Sequence, residues 1–223
     1  MNKKVAMITM GHSPRTDIIQ DIRVLLDNNI DIIHTGVMDE FSCEYIRNEF
    51  VPLEDEEPFV SRLRDGEMHK FSRKAAMELL QNKIESYCHQ EIAAIVLLCT
   101  SKFDNIKCNL PLIEPYSLLH NTVKSIDLGM KVSVVFPFES HFISMKESWE
   151  QDIKLNDSIC INPSDNLGCS KIIKYFQHDK PDLLILDCIG YTNEWRRIIY
   201  ENLNIPVIHP RTLIAGLLNN IFS

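Results

Sequence analysis

The stretches IVLLCTSKF (residues 95–103) and LLILDCIGYT (residues 183–192) decide the fold that we predict for this chain. Each begins as a run of Leu, Ile and Val and reaches a cysteine, after which small, polar or glycine residues follow at once. Continuous apolar runs of this length are typical of strands that are buried on both faces of a parallel sheet. We therefore predict two similar buried strands that carry Cys99 and Cys188 at their carboxyl ends.

Similar apolar runs alternate with amphipathic segments along the rest of the chain. KVAMITM (4–10) and KVSVVFP (131–137) predict further buried strands, whereas TDIIQDIRVLLDNN (16–29) has apolar residues at helical spacing. The repeated strand–helix order predicts an α/β fold in which parallel sheets are flanked by helices on both sides. One segment departs from this order, because FVSRLRDGEMHKFS (59–72) predicts an inserted β-hairpin that turns at Asp65-Gly66.

The two halves of the chain also show a weak internal similarity. Each half opens with a Lys-Val strand and leads through helices to one of the two cysteine strands. We interpret the halves as two pseudo-symmetric lobes, the first comprising residues 1–115 and 207–223 with the inserted hairpin, and the second comprising residues 116–206. Ligands bind beyond the carboxyl ends of the strands in open α/β sheets. This interpretation therefore has Cys99 and Cys188 facing each other across a cleft.

Polar, small and basic residues follow the predicted strands at these same carboxyl ends. Hydroxyls and the backbone amides at helix starts bind carboxylates or phosphates, and the Arg15 guanidinium can clamp a carboxylate with two hydrogen bonds. The candidate ligand-binding residues are Gly11, Ser13, Arg15, Thr100, Ser101, Gly190, Tyr191 and Thr192. A simpler alternative is that GHSPR (11–15) is only a proline turn with a surface arginine. Asp187 lies within an apolar run, so we expect its carboxylate to have a hydrogen-bonding partner.

Two thiols that face each other can move a proton on and off one carbon atom. One thiolate removes a proton from a carbon next to a carbonyl, and the other thiol delivers a proton to the opposite face. A thiolate can also attack an activated double bond. Each role requires a lowered thiol pKa, which positive charge or a helix N-terminus can supply. The alternative interpretation is that either cysteine is a small buried side chain packed at a strand end.

The predicted hairpin interrupts the α/β order. Insertions of this kind often cover a cleft or form a dimer contact. Basic side chains on and after it can reach a ligand, namely Arg62, Arg64, His69 and Arg73. A solvated face is the simpler interpretation of these residues. A homodimer formed through the hairpin is a further hypothesis.

Composition and charge exclude several classes of function. The formal net charge of −8 argues against a nucleic-acid partner, which requires a basic face. No apolar run approaches the roughly 20 residues that span a bilayer, and the run before Gly11 is too short for a signal peptide. We therefore expect a cytoplasmic protein whose seven cysteines, odd in number and without a CxxC pair, are free thiols. No metal-binding spacing and no glycine-rich nucleotide loop occurs, so we expect neither a metal nor a cofactor.

The sequence resembles the AroM family over nearly its whole length. The resemblance rests on the segments ITMGHSPR, HKFSRK, IVLLCTS, LIEPYSLL, VSVVFP and LLILDCIGYT, in that order. The two cysteine strands are more distantly similar to those of the aspartate/glutamate racemase superfamily, which includes hydantoin racemases and maleate isomerases. This second resemblance implies two pseudo-symmetric α/β lobes, one cysteine from each lobe, and no cofactor.

The superfamily resemblance also implies roles for individual residues. Cys99 and Cys188 would form the acid–base pair. The substrate carboxylate would be held by hydroxyl side chains, namely those of Ser13, Thr100, Ser101 and Thr192. The motifs differ in detail, because racemases usually have Cys-Asn-Thr and Gly-Cys-Thr where this chain has Cys-Thr-Ser (99–101) and Asp-Cys-Ile-Gly (187–190). AroM-family members can lack the first cysteine, so Cys188 is the stronger candidate for the principal catalytic residue.

These observations leave three hypotheses open. The first is a cofactor-independent isomerase or racemase, or a related lyase, that acts on a small carboxylate or an amino-acid-like molecule. The second is a non-catalytic small-molecule-binding or regulatory protein with a racemase-like cleft. The third is another thiol enzyme, such as a hydrolase. Catalysis predicts that both thiols reach one substrate, whereas a binding protein predicts that one or both cysteines face the core.

Overall fold

The structure is a computed structural model that describes residues 2–126 and 129–223. The chain divides into two compact units. Unit 1 extends to Glu114 and also includes Asn219–Ser223, whereas unit 2 is Pro115–Leu218. The sequence prediction assigned residues 207–223 to the first lobe, but residues 207–218 group with unit 2.

Unit 1 contains a four-stranded parallel sheet and a separate two-stranded antiparallel hairpin. The sheet consists of β1 (Lys3–Thr9), β2 (Ile30–Gly36), β5 (Ala94–Leu97) and β6 (Leu112–Ile113), in the order β2-β1-β5-β6. The hairpin consists of β3 (Phe59–Arg62) and β4 (Met68–Phe71). The helices are α1 (Thr16–Arg23), α2 (Cys43–Glu49) and α3 (Arg73–Cys88).

Unit 2 contains a second four-stranded parallel sheet. It consists of β7 (Val132–Phe136), β8 (Leu155–Cys160), β9 (Leu183–Leu186) and β10 (Val207–Ile208), in the order β10-β9-β7-β8. The helices are α4 (Pro115–Lys124), α5 (Phe142–Glu150), α6 (Gly168–Phe176), α7 (Asn193–Leu203) and α8 (Pro210–Phe222), the last of which continues into unit 1. Because β10 pairs with β9, residues 207 and 208 belong to this sheet.

The two sheets have the same topology. When the strands are counted along the chain within each unit, both sheets have the order 2-1-3-4, and every neighbouring pair is parallel. β5 and β9 are the equivalent third strands, and every residue of both is buried. The predicted α/β fold with parallel sheets and an inserted hairpin is therefore confirmed. Cys99 and Cys188 each lie two residues beyond the end of their strand.

β9 of unit 2 is buried on both faces because its alternate side chains enter two different core clusters. Leu183 and Ile185 pack in the cluster that contains Trp149, whereas Leu184 and Leu186 pack in the cluster that contains Tyr191. Successive residues of a strand point to opposite faces. A strand in this position therefore requires an uninterrupted apolar run, and polar side chains occur only beyond its ends.

The hairpin packs on the core of unit 1. Phe59 pairs with Phe71 across the two strands, and Gly66 occupies the turn with a φ of +88°, a backbone conformation that favours glycine. The Phe59 ring stacks on Phe103 at 5.6 Å between centroids, and the Arg73 guanidinium lies 4.6 Å from the Phe59 centroid. Arg73 also donates a hydrogen bond to the Lys102 carbonyl. The hairpin is thereby fastened to the loop that follows Cys99.

One helix is shorter than its sequence pattern predicts. The periodicity predicts helix over 16–29, but α1 ends at Arg23. The Arg23 guanidinium donates to the Ile30 carbonyl at 2.8 Å, and Asn219 both accepts from the Asp27 amide and donates to the Leu25 carbonyl. In a longer helix the Asp27 amide and the Leu25 carbonyl would bond within the helix, whereas here both bond to Asn219, and the chain turns at residues 24–29.

The expected partner of Asp187 is found in unit 2. The Trp149 indole donates its Nε1–H to Asp187 Oδ2 at 2.8 Å, and both side chains are buried. Trp149 also stacks on His120 at 3.8 Å between ring centroids. The indole thus fills the core cluster and satisfies the carboxylate that precedes Cys188 in the chain.

Substitution of Trp149 by Phe should destabilise the protein by about 1–3 kcal/mol, because a buried carboxylate oxygen loses a donor. The matched control is Tyr175→Phe, which removes an exposed hydrogen bond from a hydroxyl to Asp157 and should cost about 1 kcal/mol or less. Urea denaturation followed by circular dichroism measures both changes. Equal losses of free energy in the two variants would contradict the prediction.

Candidate functional site

The loop after β9 carries Cys188, whose side chain is half-buried. The Gly190 amide donates to Cys188 Sγ at 3.3 Å, and the Tyr191 amide donates to the Cys188 carbonyl at the same distance. A Cβ atom at Gly190 would lie 3.0 Å from the ring of Pro163, which is a tighter contact than ordinary packing allows. The close fit therefore favours glycine at this position and keeps its amide directed at the sulfur.

The two residues that follow have different surroundings. Tyr191 is fully buried and donates its hydroxyl to the Ile161 carbonyl at 2.8 Å, so its side chain belongs to the core of unit 2. Thr192 is half-buried and caps α7, because its Oγ1 accepts a hydrogen bond from the Trp195 amide at 3.1 Å. The Thr192 hydroxyl keeps its own proton, which it can donate.

The loop after β5 repeats the arrangement around the first cysteine. Cys99 is half-buried, and the Ser101 amide donates to Cys99 Sγ at 3.5 Å. Thr100 is buried and Ser101 is half-buried. In both units the amide two residues after the cysteine is directed at the sulfur. An N–H donor at a sulfur stabilises a thiolate more than a thiol, and both loops supply one such donor.

The loop after β1 is fixed by contacts with the hairpin. A side chain at Gly11 would collide with the Arg62 carbonyl, so a residue without a Cβ is needed there. His12 is buried and bridges two segments: its Nδ1 accepts from the Arg64 amide at 3.0 Å, which leaves Nε2–H to donate to the Phe41 carbonyl at 2.9 Å. His12 lies between the candidate ligand-binding residues Gly11 and Ser13 but was not predicted to be one of them.

Asp39 holds Ser13 by two hydrogen bonds. The Ser13 hydroxyl donates to Oδ2 and the Ser13 amide to Oδ1, both at 2.7 Å, and the Gly36 amide donates to Oδ2 at 2.7 Å. Burial alone would raise the pKa of Asp39, but hydrogen bonds from Gly36, Ser13 and Thr35 outweigh it and hold that pKa below its usual value. The ionised carboxylate only accepts hydrogen bonds. The Ser13 proton is therefore directed at Asp39, and its oxygen is left as an acceptor.

Arg15 already has a carboxylate partner within unit 1. Its Nε and Nη2 groups donate to the two oxygens of Asp17 at 3.0 and 2.7 Å. The predicted two-point geometry thus occurs, with a side chain of the same chain as the acceptor. A ligand carboxylate would have to compete with Asp17 for these donors.

Two further residues hold the Cys188 loop from α8 and the segment before it. His209 donates Nε2–H to the Tyr191 carbonyl at 2.7 Å, and Arg211 donates Nε–H to the Ile189 carbonyl at 2.7 Å. Both side chains are fully buried. Burial lowers the pKa of His209 to about 3, so the imidazole is neutral over the physiological range. The sequence signal for this pair is weak. His209 and Arg211 are two polar residues that closely follow the short apolar strand Val207–Ile208.

Several other thiols are poor acids. Burial, together with Glu139, raises the pKa of Cys160 to about 12. Burial also raises the pKa of Cys169 and of Cys108. These cysteines carry little thiolate at neutral pH and are therefore weak candidates for acid–base or nucleophilic chemistry.

Residues 2–126 and 129–223 contain neither a metal cluster nor a membrane-spanning helix. No group of three or more His, Cys, Asp or Glu side chains in these ranges can hold a metal ion. Over the same part of the chain, no helix is long and apolar enough to cross a bilayer.

Solved structures share this fold. Allantoin racemase from Klebsiella pneumoniae matches with a TM-score of 0.66 and 13% identity, over 99% of this chain and 87% of that chain. Maleate isomerase Iso from Pseudomonas putida S16 matches with a TM-score of 0.66 and 12% identity, over 99% and 93%. Aspartate racemase from Picrophilus torridus matches with a TM-score of 0.59 and 17% identity, over 99% and 94%. This protein therefore has the racemase-like α/β fold.

The family follows from the sequence. A comparison with curated proteins gives no match. The family model described as AroM protein matches residues 5–222, and the chain belongs to the AroM family. The resemblance seen in the sequence is thereby confirmed, as is the distant relation to racemases at the level of the fold.

Substitution of Asp39 by Asn should destabilise the protein by about 1 kcal/mol at neutral pH, because an amide NH₂ would then face a backbone donor. The pKa of Asp39 is lower in the folded protein than its ordinary value. Its stabilising contribution is therefore complete above about pH 5 and is lost as the pH falls through the folded-state pKa. Urea denaturation at several pH values should show the two proteins converging below about pH 4.

The matched control is Asp179→Asn, which removes an exposed carboxylate that pairs with Lys131 at 3.4 Å. This variant should lose about 0.5 kcal/mol or less. A gap between wild type and Asp39→Asn that widens as the pH falls would contradict the role of Asp39.

Proposed function

We propose that this AroM-family protein is a cofactor-independent isomerase or racemase that uses cysteine thiols on a small carboxylate or amino-acid-like substrate. Cys188 is the principal acid–base residue or nucleophile, and Cys99 is its counterpart. The observation that carries the proposal is the repeated thiol environment. Each cysteine follows the third strand of the same four-stranded topology and accepts a backbone N–H at its sulfur.

The reaction requires one proton to leave the substrate and one to be returned. The Cys188 thiolate removes the proton from a carbon next to a carboxylate or carbonyl, and the electron pair passes to that group as an enolate. The Cys99 thiol then protonates the carbon on its other face. Cys188 ends as the thiol and Cys99 as the thiolate, which is the starting state for the reverse direction.

The hydrogen-bonding character of the candidate residues favours a substrate with two kinds of group. Ser13 donates its proton to Asp39, so its oxygen accepts a hydrogen bond from a substrate N–H. Thr192 accepts from the Trp195 amide, so its proton is donated to a substrate carboxylate. We assign the carboxylate to Thr100, Ser101 and Thr192 and the N–H to Ser13. An amino-acid-like molecule carries both groups on neighbouring atoms.

Two further observations support the proposal. The matched solved structures are named as allantoin racemase, maleate isomerase and aspartate racemase, and these names support the class of reaction and a small substrate. None of the seven cysteines, which all lie within the described residues, forms a disulfide bond, so each sulfur can carry a proton. A reducing cytoplasm is the compartment that keeps them so.

The test is proton exchange in D₂O, followed by NMR. The protein is incubated with a panel of amino acids, hydantoins and small dicarboxylates. We expect loss of a carbon-bound proton signal on one class of compound that carries an N–H, and no exchange on dicarboxylates that lack one. The Cys188→Ala variant should lose at least about 100-fold in exchange rate, because proton transfer by a positioned group contributes about that much or more. Cys99→Ala should also be impaired.

The matched control is Cys169→Ala, which removes a thiol whose pKa burial raises and should keep the wild-type rate. Exchange that persists in Cys188→Ala would overturn the assignment of the catalytic residue. No exchange on any compound, together with stabilisation of the protein by one of them, would favour the non-catalytic small-molecule-binding alternative.

A further inference from the structure

Arg211 is a fully buried cation in the first turn of α8. Its position is unfavourable in two respects. Burial removes the guanidinium from water, and the N-terminus of a helix carries a partial positive charge that repels a cation. A buried cation at this position therefore needs strong hydrogen bonds, and Arg211 makes charge-assisted ones to the loop that contains Cys188.

Two hydrogen bonds of Arg211 go to successive carbonyls of the loop that contains Cys188. Its Nε–H donates to the Ile189 carbonyl at 2.7 Å, and Nη2–H donates to the Gly190 carbonyl at 3.1 Å. The Ile189 carbonyl and the Gly190 amide belong to the same peptide bond. That amide donates to Cys188 Sγ at 3.3 Å. The guanidinium, the peptide and the sulfur are thus joined in a single hydrogen-bonded series.

A hydrogen bond at the carbonyl end of a peptide strengthens the donor at its amide end, because the two bonds polarise each other. A charged donor such as guanidinium has the larger effect. The contact at the Ile189 carbonyl holds this peptide, and the contact at the Gly190 carbonyl holds the peptide that follows, so both restrict the N–H that is directed at the sulfur. Arg211 can therefore act on Cys188 through the Ile189–Gly190 peptide.

We propose that Arg211 is a positioning residue that orients and polarises the Ile189–Gly190 peptide so that its N–H stabilises the Cys188 thiolate. The inference deepens the proposed function, on which it rests for the task of Cys188. It concerns the thiol itself, however, and it is tested without any substrate.

Other titratable or charged groups surround the Cys188 loop. They come from the loop, from the end of β8, from α7 and from the segment before α8, and they are Asp187, Tyr191, Cys160, Arg196 and His209. Burial raises the pKa of Tyr191 well above its ordinary value, raises that of Cys160 to about 12 and lowers that of His209 to about 3. These three groups keep one protonation state between about pH 6 and pH 9, so they do not change charge beside Cys188 during a titration in that range.

The experiment measures alkylation of Cys188 by iodoacetamide between about pH 6 and pH 9, resolved by peptide mass spectrometry. In wild type, the midpoint should lie below the roughly 8.5 of a free cysteine. In Arg211→Gln, the rate at pH 7 should fall about tenfold, which corresponds to about one pKa unit. Arg211→Lys keeps the charge and should recover part of the wild-type rate.

The sign of the change separates this role from a merely structural one. Loosening of unit 2 would speed alkylation of Cys188 and of the part-buried Cys169 alike, whereas loss of polarisation slows Cys188 and leaves Cys169 unchanged. The matched control is Arg197→Gln, which removes an exposed arginine paired with Glu201 and should leave Cys188 unchanged.

An unchanged or faster Cys188 rate in folded Arg211→Gln would overturn the proposal. If that variant unfolds, the pH midpoint of Cys188 alkylation in the wild-type protein tests the proposal instead. A midpoint at or above about pH 8.5 would contradict it. A lowered midpoint without proton exchange on any substrate would separate the two proposals. It would support the role of Arg211 and count against the proposed function.

Discussion

Strands that are buried on both faces leave only their ends for polar chemistry. In this protein the side chains of β9 alternate between two apolar clusters, so a charged group within the strand would face hydrocarbon on either side. Asp187 lies just beyond the last residue of β9, and its buried carboxylate needs a donor there, which the buried Trp149 indole supplies. The thiols, the candidate hydroxyls and the amides that face the sulfurs are accordingly concentrated in the loops after the strands. The repetition of one topology in both units then places a cysteine two residues beyond the third strand of each sheet, with a backbone N–H at each sulfur.

Much of this arrangement could be predicted from the sequence, because the signals are local. The apolar runs of β5 and β9 and the Asp-Gly turn of the hairpin each depend on a few neighbouring residues. Features that depend on distant residues could not be predicted. The end of α1 is set by Asn219, and Ser13 is held by Asp39. Arg211 acts on a loop 21 and 22 residues away in the chain. The two-residue strand β6 is too short for any periodicity to indicate it.

The structure also changes how the candidate residues are understood. A list of hydroxyls and one arginine suggests a set of donors for a carboxylate. Their contacts distinguish them. The Ser13 hydroxyl donates to Asp39, and the Arg15 guanidinium donates to Asp17. The Tyr191 hydroxyl donates to the Ile161 carbonyl. Residue type gives what a side chain can do, whereas its existing partners decide what it has left to offer a ligand. This is why the proposed substrate combines a carboxylate with an N–H.

The turn at residues 24–29 has a consequence for the order in which the protein can be completed. Its backbone groups are bonded to Asn219, and the Asn29 side chain donates to the Phe222 carbonyl, across sequence separations of 192 to 194 residues. During synthesis on the ribosome, the strands β1, β2 and β5 emerge long before these partners do. Unit 1 must therefore wait for nearly all of unit 2 to be translated before this turn is closed, whereas the sheet of unit 2 needs no segment from outside residues 132–208.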